Sequence, residues 1–513
     1  MRKQNFAASL SVLLTLGTLS GLVASKPQAT APTPHEAKSQ SNLGGQMPPR
    51  FDQDVARVVA NIDRIEADTL SQMEHASLDR QGQVHTLGKL LLFDRRLSVN
   101  QNEACSFCHT PETGFTGPMQ SLNETTVSYP GSVRTRFSNR KPQSYMYAPF
   151  SPVLQYNDLQ GDFVGGNFWD MRASGYRLQN PSAEQAQGPP TNPVEMGLPD
   201  SACVAYRLSQ APYRKLFETV WGPDSFTIHW PGDVEKVCST PGPPPANDQF
   251  PVHLSPADRS RADHVYDEFG LAISAYEFSP EVSPFTSKYD SVQAGKDQFT
   301  PQEKMGYELF RGKARCNECH RDGGPGEEPL FTDFTASNLG VPGNPGLQFH
   351  YESRPDQRGY TPNIGANIAG AAYVDTGVGS FLRTLQSDSG QLDPDSGWIK
   401  LAPKFDAKFQ VPTLRNVDMR PSPDFVKAYM HNGYFKSLKE VVHFYNPRDV
   451  LPKCKPDAPG EKVTCWPAPE DPTNLNKRQL GNLQLTGQEE DALVAFLKTL
   501  TDGYQVPSPA TAK

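Results

Sequence analysis

Two pentapeptides of the form Cys-x-x-Cys-His constrain this chain more than any other feature: Cys105-Ser-Phe-Cys108-His109 and Cys316-Asn-Glu-Cys319-His320. Two thiols three positions apart on a helical turn reach the two vinyl groups of one haem. The adjacent imidazole then turns under the iron as its proximal ligand. The motif occurs twice, which calls for two covalently bound haem c groups, attached at Cys105, Cys108, Cys316 and Cys319, with His109 and His320 as metal ligands. The competing use of such cysteines is zinc or disulfide pairing. Two complete motifs in a chain that carries an export signal argue against it.

That signal is the amino terminus. Arg2 and Lys3 precede an apolar run from Phe6 to Val23, and the small residues Ala24 and Ser25 follow before Lys26. This reads as a cleaved signal peptide over residues 1–25 and a periplasmic protein without stable membrane insertion. The alternative is a membrane anchor, but the run is short for a bilayer and contains Ser and Thr. Export agrees with covalent haem. It also suits the four remaining cysteines, Cys203, Cys238, Cys454 and Cys465, which pair most simply with their nearer neighbours, free buried thiols being the alternative. A net charge of −8 spread over 513 residues, with no basic stripe, excludes a nucleic-acid partner.

Residues 26–50 are rich in Pro, Ala, Ser and Gly and read as a flexible linker. A helix is expected from Gln53 to Met73, its apolar stripe formed by Val55, Val58, Val59, Ile62, Ile65 and Leu70. A second short helix over residues 85–94 delivers the chain to the first haem motif. Residues 301–313 echo it ahead of the second motif, and in each case a Leu-Phe pair precedes a short loop. Two helix–loop–CxxCH units predict a mainly α fold of two cytochrome-c-like haem domains with long irregular loops: 51–290, 291–505 and a tail over 506–513. Helices are further expected over 262–278, 438–445 and 488–500, with a hinge near 279–300. The Pro-rich stretch 221–256 reads as a surface insertion.

The flanking sequences resemble a known pattern. LGKLLLFDRRLS before the first motif, CSFCHTPETGFTG around it, NFWDMRA at 167–173, EQAQGPPTNPVEMG at 184–197, LFRGKARCNECH, VPTLRNV and AYMHNG at 428–433 together resemble the bacterial di-haem cytochrome c peroxidase and MauG superfamily. The resemblance runs from about residue 85 to residue 500. It implies that the first haem is peroxidatic, with Gln185 and Glu195 over its distal face and Pro189 shaping the pocket. Glu195 is then the acid–base group for peroxide. Alone it would read as a solvated loop carboxylate. Trp169 falls where the family places a relay tryptophan between the haems. The function implied is reduction of hydrogen peroxide with electrons from a small periplasmic cytochrome c or cupredoxin, passed from the second haem to the first. A MauG-like oxidase that modifies a partner protein is the alternative. A non-catalytic electron-transfer protein is the alternative of another class.

The sequence departs from that pattern in three places. No His lies between His109 and Arg140, where peroxidases that need reductive activation carry a capping His, so the first haem is expected to be open as isolated. The sixth ligand of the second haem, fourteen residues after His431, falls on Tyr445, where the peroxidases have Met and MauG has Tyr. Met430 and Met419 are the alternatives, and His443 is a rival on a different helix face. Finally, the Asn that helps bind an inter-haem calcium ion in the family aligns with Arg140, beside Asn139. That leaves one calcium ion to backbone oxygens rather than to these side chains.

Overall fold

The computed structural model describes residues 47–75, 77–324, 326–347, 373–385 and 396–507. The expected signal peptide and most of the linker lie outside them.

The chain enters through α1 (Phe51–His75), which presents Val58 and Ile62 to the core with no exposure, while Val55, Val59, Ile65 and Leu70 are partly buried against the same core. Next comes α2 (Arg80–Phe93), capped by the Asp79 carboxylate, which accepts the Gly82 N–H at 2.8 Å. A short helix, α3 (Pro181–Ala186), and the long α4 (Pro256–Phe278) complete the frame around the first CxxCH motif. The second motif follows α5 (Pro301–Arg311) and is backed by α6 (Leu438–Tyr445) and α7 (Gly487–Lys498). Both α5 and α7 begin at capping boxes, Thr300 with Glu303 and Thr486 with Glu489.

Strands are short. Gln155–Asn157 (β1) pairs antiparallel with Asp162–Val164 (β2), and Ala336–Ser337 (β3) pairs antiparallel with Phe409–Gln410 (β4). Among the described residues, no helix is long and apolar enough to cross a membrane.

The two halves reuse one packing device. In α2, a Cβ on Gly88 would lie 2.0 Å from the Ala272 carbonyl oxygen and 2.7 Å from the Tyr276 Cβ of α4. In α5, a Cβ on Gly306 would lie 1.9 Å from the Ala492 carbonyl oxygen and 2.8 Å from the Phe496 Cβ of α7. Each glycine therefore lets two helix backbones touch just ahead of a CxxCH motif. In this register Leu92, not Phe93, lies opposite Phe310 in sequence. The Leu-Phe echo is thus one residue out of step with the packing.

Apolar burial falls into three clusters. One is built from residues between Phe51 and Val282, another from residues between Tyr289 and Leu500. The third joins Leu154, Phe163 and Met171 to Ala336, Val378, Phe381 and Phe405, drawing on both stretches.

Two segments differ from the sequence reading. The Pro-rich stretch 221–256 is no loose insertion: Phe226, Ile228, Val234 and Val252 are buried in the first cluster, and Cys238 is bonded to Cys203. Burial of these spaced apolar residues outweighs the turn-rich composition. The stretch 279–300 is held rather than hinged. Arg415, with no exposed side chain, donates to Asp290 and Asp502 and lies under the rings of Tyr147 and Phe285. The remaining disulfide is Cys454–Cys465, so both cystines join the nearer neighbours.

Candidate functional site

A single cavity of about 370 Å³ is lined by both CxxCH motifs. Cys105, Cys108 and His109 form part of its wall, as do Cys316, Cys319 and His320. The four cysteines are unpaired and half-buried.

Each histidine is oriented in the same way. His109 Nδ1–H donates to the Phe115 carbonyl at 2.8 Å, and His320 Nδ1–H donates to the Phe331 carbonyl at 3.0 Å. A proton held on Nδ1 puts the lone pair on Nε2, the arrangement that a ligating imidazole requires. Burial lowers both imidazoles, His109 to about 4, so both are neutral. Four polar atoms on the cavity wall are buried without a hydrogen-bond partner among the described residues: Gln143 Oε1, Tyr145 Oη, His431 Nε2 and Arg415 Nε. Unpaired thiols in CxxCH turns, neutral imidazoles and orphaned polar atoms fit two haem c groups, whose propionates carry the acceptors that the donors among those atoms lack.

The remaining residues singled out from the sequence line the same cavity: Trp169, Gln185, Pro189, Glu195 and Tyr445. Gln185 comes from α3, whose first turn is capped by the Asn180 side chain accepting from Ala183 N–H at 3.0 Å. Glu184, its neighbour, points the other way and accepts the N–H groups of Gly175, Arg177 and Leu178, which fixes the preceding loop to the helix. Pro189 sits in the single turn that follows. The Glu195 backbone is pinned by Ser132 N–H donating to its carbonyl at 2.7 Å. Its side chain accepts from Asn192 Nδ2 at 2.7 Å through Oε1. Burial raises the Glu195 carboxyl, opposed by the Arg172 charge and the Asn192 hydrogen bond.

Trp169 is held at both ends. Its indole N–H donates to the Lys141 carbonyl at 3.0 Å, and its own carbonyl accepts from Gln410 N–H of β4 at 2.8 Å. Tyr445, at the end of α6, shares the cavity wall with Leu438 and Val441, as their spacing along one helix face predicts. Val442 is buried in the second core instead. Burial pushes the Tyr445 phenol well above its ordinary range, with the Cys316 and Cys319 thiols contributing. His443 is turned away: Nδ1 meets Glu490 Oε1 at 3.0 Å and Nε2 meets the Val463 carbonyl at 3.0 Å. Of the two alternative methionines, Met430 lines the cavity and Met419 packs against the first cluster.

Residues 83–298 match the family described as di-haem cytochrome c peroxidase. Over 426 residues the chain is 32% identical to the methylamine utilization protein MauG of Paracoccus denitrificans, covering 82% of this chain and 89% of that protein. This chain belongs to the di-haem cytochrome c peroxidase/MauG family. It is also 27% identical over 423 residues to the cytochrome-c peroxidase IdrP1 of Denitromonas iodatirespirans, covering 81% of this chain and 80% of that one. The fold matches that of the diheme peroxidase BthA from Burkholderia thailandensis with a TM-score of 0.56 at 23% identity, over 83% of this chain and 90% of that one. Membership makes the chain a haem-binding oxidoreductase of the di-haem peroxidase/MauG family, in keeping with its mainly helical fold.

Several wall residues carried no signal in the sequence alone. Glu103 and Glu277 are buried, and burial pushes both up to about 8, against the opposing Arg134 charge for Glu103 and a Ser182 hydrogen bond for Glu277. Lys141 is also buried, and burial brings its amine down to about 7. Nothing in local spacing distinguishes these from surface charges. Arg172, in contrast, lies inside the NFWDMRA block already quoted, where its charge beside Asp170 was the available hint.

Proposed function

We propose that this protein is a periplasmic di-haem peroxidase that reduces hydrogen peroxide at the site of His109, with electrons from a small cytochrome c or cupredoxin entering at the site of His320. The observation that supports this reading is one cavity lined by both CxxCH motifs, with Trp169, Gln185, Pro189, Glu195 and Tyr445 also in its lining. Bound haem c supplies the iron at which the peroxide O–O bond is broken and the conjugated ring that carries electrons.

The chain supplies the proton handling. Asn192 occupies Glu195 Oε1, which leaves Oε2 to take the proton of an incoming peroxide and return it to the departing oxygen. Burial raises this carboxyl above the ordinary glutamate range, opposed by the Arg172 charge and the Asn192 hydrogen bond. Gln185 orients the peroxide and Pro189 fills space that water would otherwise occupy. Trp169, its indole N–H anchored to Lys141, offers an oxidisable ring between the two sites. A domain boundary near residue 290 separates the peroxidatic half from the electron-entry half.

The test is a steady-state assay of haem-loaded protein with reduced cytochrome c and hydrogen peroxide. Peroxide-dependent oxidation of the donor is the expected result, and its absence at full haem content overturns the peroxidase reading. A second reading, a MauG-like oxidase acting on side chains of a partner protein, is favoured by Tyr445 on the second wall and by the lack of a His between His109 and Arg140. Peroxide-dependent modification of a co-expressed protein without donor turnover selects it.

A further inference from the structure

The family resemblance leaves a place for a calcium ion between the haem sites, and the residues there do not fit one. Calcium takes about six to eight oxygen ligands at close range. The carboxylates nearest to Arg140 are Asp170 and Asp375, and a guanidinium already occupies both. Arg140 Nε donates to Asp375 Oδ2 at 2.6 Å, Nη2 to Asp375 Oδ1 at 2.7 Å and Nη1 to Asp170 Oδ2 at 2.7 Å. Asp170 also accepts from Arg172 Nη1 at 2.9 Å. Asn139 Nδ2 donates to Tyr373 Oη at 3.5 Å, which leaves its side-chain oxygen as a single neutral ligand beside Arg140. Among the described residues, no group of three or more His, Cys, Asp or Glu side chains is arranged to hold a metal ion.

We propose that the Arg140 guanidinium is the resident cation of the wall between the two haem sites, standing in for a divalent metal ion and positioning Trp169 through Asp170. Arg140 pairs with both Asp170 and Asp375, and Arg172 pairs with Asp170. The Arg140 side chain is 11% exposed, and those of Asp170 and Asp375 are 8% and 5%. A planar fork that grips one carboxylate side-on and a second end-on fixes direction as well as charge, which a spherical ion held through water does not.

The position of Arg140 in the chain gives the grip its consequence. The next residue, Lys141, supplies the carbonyl that takes the Trp169 indole N–H, and Asp170 is the residue after Trp169. Residues 140 and 141 thus hold the tryptophan from its ring and from its backbone neighbour. Asp375 comes from the far stretch of the chain, so the same guanidinium ties that stretch to the Trp169 loop. The Phe409 ring lies 5.6 Å from the guanidinium and stacks on His431 at 3.6 Å, which closes this part of the wall. The positioning of Trp169 rests on the reading of that residue as a relay. The replacement of the metal does not.

The test uses the haem-loaded protein, wild type and variants, dialysed against EGTA and then supplied with calcium chloride. The readouts are elemental analysis, melting temperature and haem spectrum. Wild type is expected to retain no stoichiometric calcium and to show the same melting temperature and spectrum with either treatment. Arg140→Asn is expected to melt lower and to regain stability on adding calcium, reversibly with EGTA, because buried Asp375 then lacks its guanidinium and Asp170 keeps only that of Arg172. Arg140→Lys, which keeps the charge and loses the fork, is expected to fold, to ignore calcium, and to slow electron transfer between the haems after flash reduction while each haem spectrum stays unchanged. One tightly held calcium in wild type, with a lower melting temperature after EGTA, overturns the inference. So does an Arg140→Asn variant that melts like wild type, and unaltered inter-haem transfer in Arg140→Lys removes the positioning role. If Arg140→Asn does not fold, the wild-type and Arg140→Lys arms decide. Calcium-free wild type lacking peroxide turnover would contradict the proposed function and leave this inference standing.

Discussion

The two CxxCH sites are alike on one side and opposite on the other. On the histidine side, His109 and His320 make the same Nδ1–H bond to a backbone carbonyl, and a glycine brings two helix backbones into contact ahead of each motif. Elsewhere around the motifs, the first has three buried carboxyl groups near Cys105, Glu103, Glu195 and Glu277, each raised by burial. The second presents the face of α6, where Leu438 and Val441 flank the phenol of Tyr445. The shared features are those that hold a haem, and the proposed function assigns its chemistry to the features that differ. Under the proposed function, the carboxyl groups serve peroxide cleavage at the first site and Tyr445 closes the second.

The sharpest way to break this contrast is at the first site. Glu195→Gln keeps size and hydrogen bonding but removes the proton acceptor, so single-turnover peroxide cleavage is expected to slow by about two to four orders of magnitude at normal haem content. Unchanged kinetics would make the two facing walls equivalent. The same residue sets a pH dependence. Burial raises its carboxyl above 4.5, and the active form is the carboxylate. Activity should therefore fall as pH drops through a value above that of an ordinary glutamate, and this acid limb should vanish in Glu195→Gln. An acid limb at the ordinary value would mean a solvated carboxylate.

Smaller effects test the shared half and the seam. Gly88→Ala and Gly306→Ala each push a methyl group into a backbone carbonyl and should cost a comparable ~1–3 kcal/mol in chemical denaturation. A large asymmetry between them would argue against a common packing device. Asp375 is worth about as much. Burial works to raise its carboxyl, but the charge and hydrogen bonds of Arg140, then His431 and the Gly377 N–H, hold it at about 2. Since the folded value lies below the unfolded one, the contribution is fully present above pH ~4 and is lost as pH falls toward 2, amounting to ~2 kcal/mol. Asp375→Asn should flatten that part of the acid-stability curve, and Asp170, whose carboxyl Arg140 and Arg172 also lower, should leave the remainder.

The elements that frame the sites were legible because their ends are written locally. Ser437 before Leu438, Thr300 with Pro301 and Glu303, and Thr486 with Glu489 each mark a helix start, and α6 runs over the expected residues Leu438–Tyr445. The CxxCH motifs and Gln185, Glu195 and Trp169 were legible because their blocks resemble a family. What spacing could not show is what distant segments do to each other. The third apolar cluster needs Phe163 to meet Phe405. The Arg140 pairing needs residue 375 to return to residue 140. Stretch 221–256 looked like loose surface because prolines dominate its composition, whereas a disulfide and a few spaced apolar residues decide its burial.

The most direct measurement is a cyanide titration of the ferric, haem-loaded protein, read by optical and electron paramagnetic resonance spectra in wild type and in Tyr445→Phe. The expected result is that one of the two haems binds cyanide in wild type and both bind it in Tyr445→Phe, with the first unchanged and no near-infrared methionine band in wild type. Identical titrations in the two proteins, or a methionine band in the wild type, would contradict the assignment of Tyr445 as the group that closes the second site.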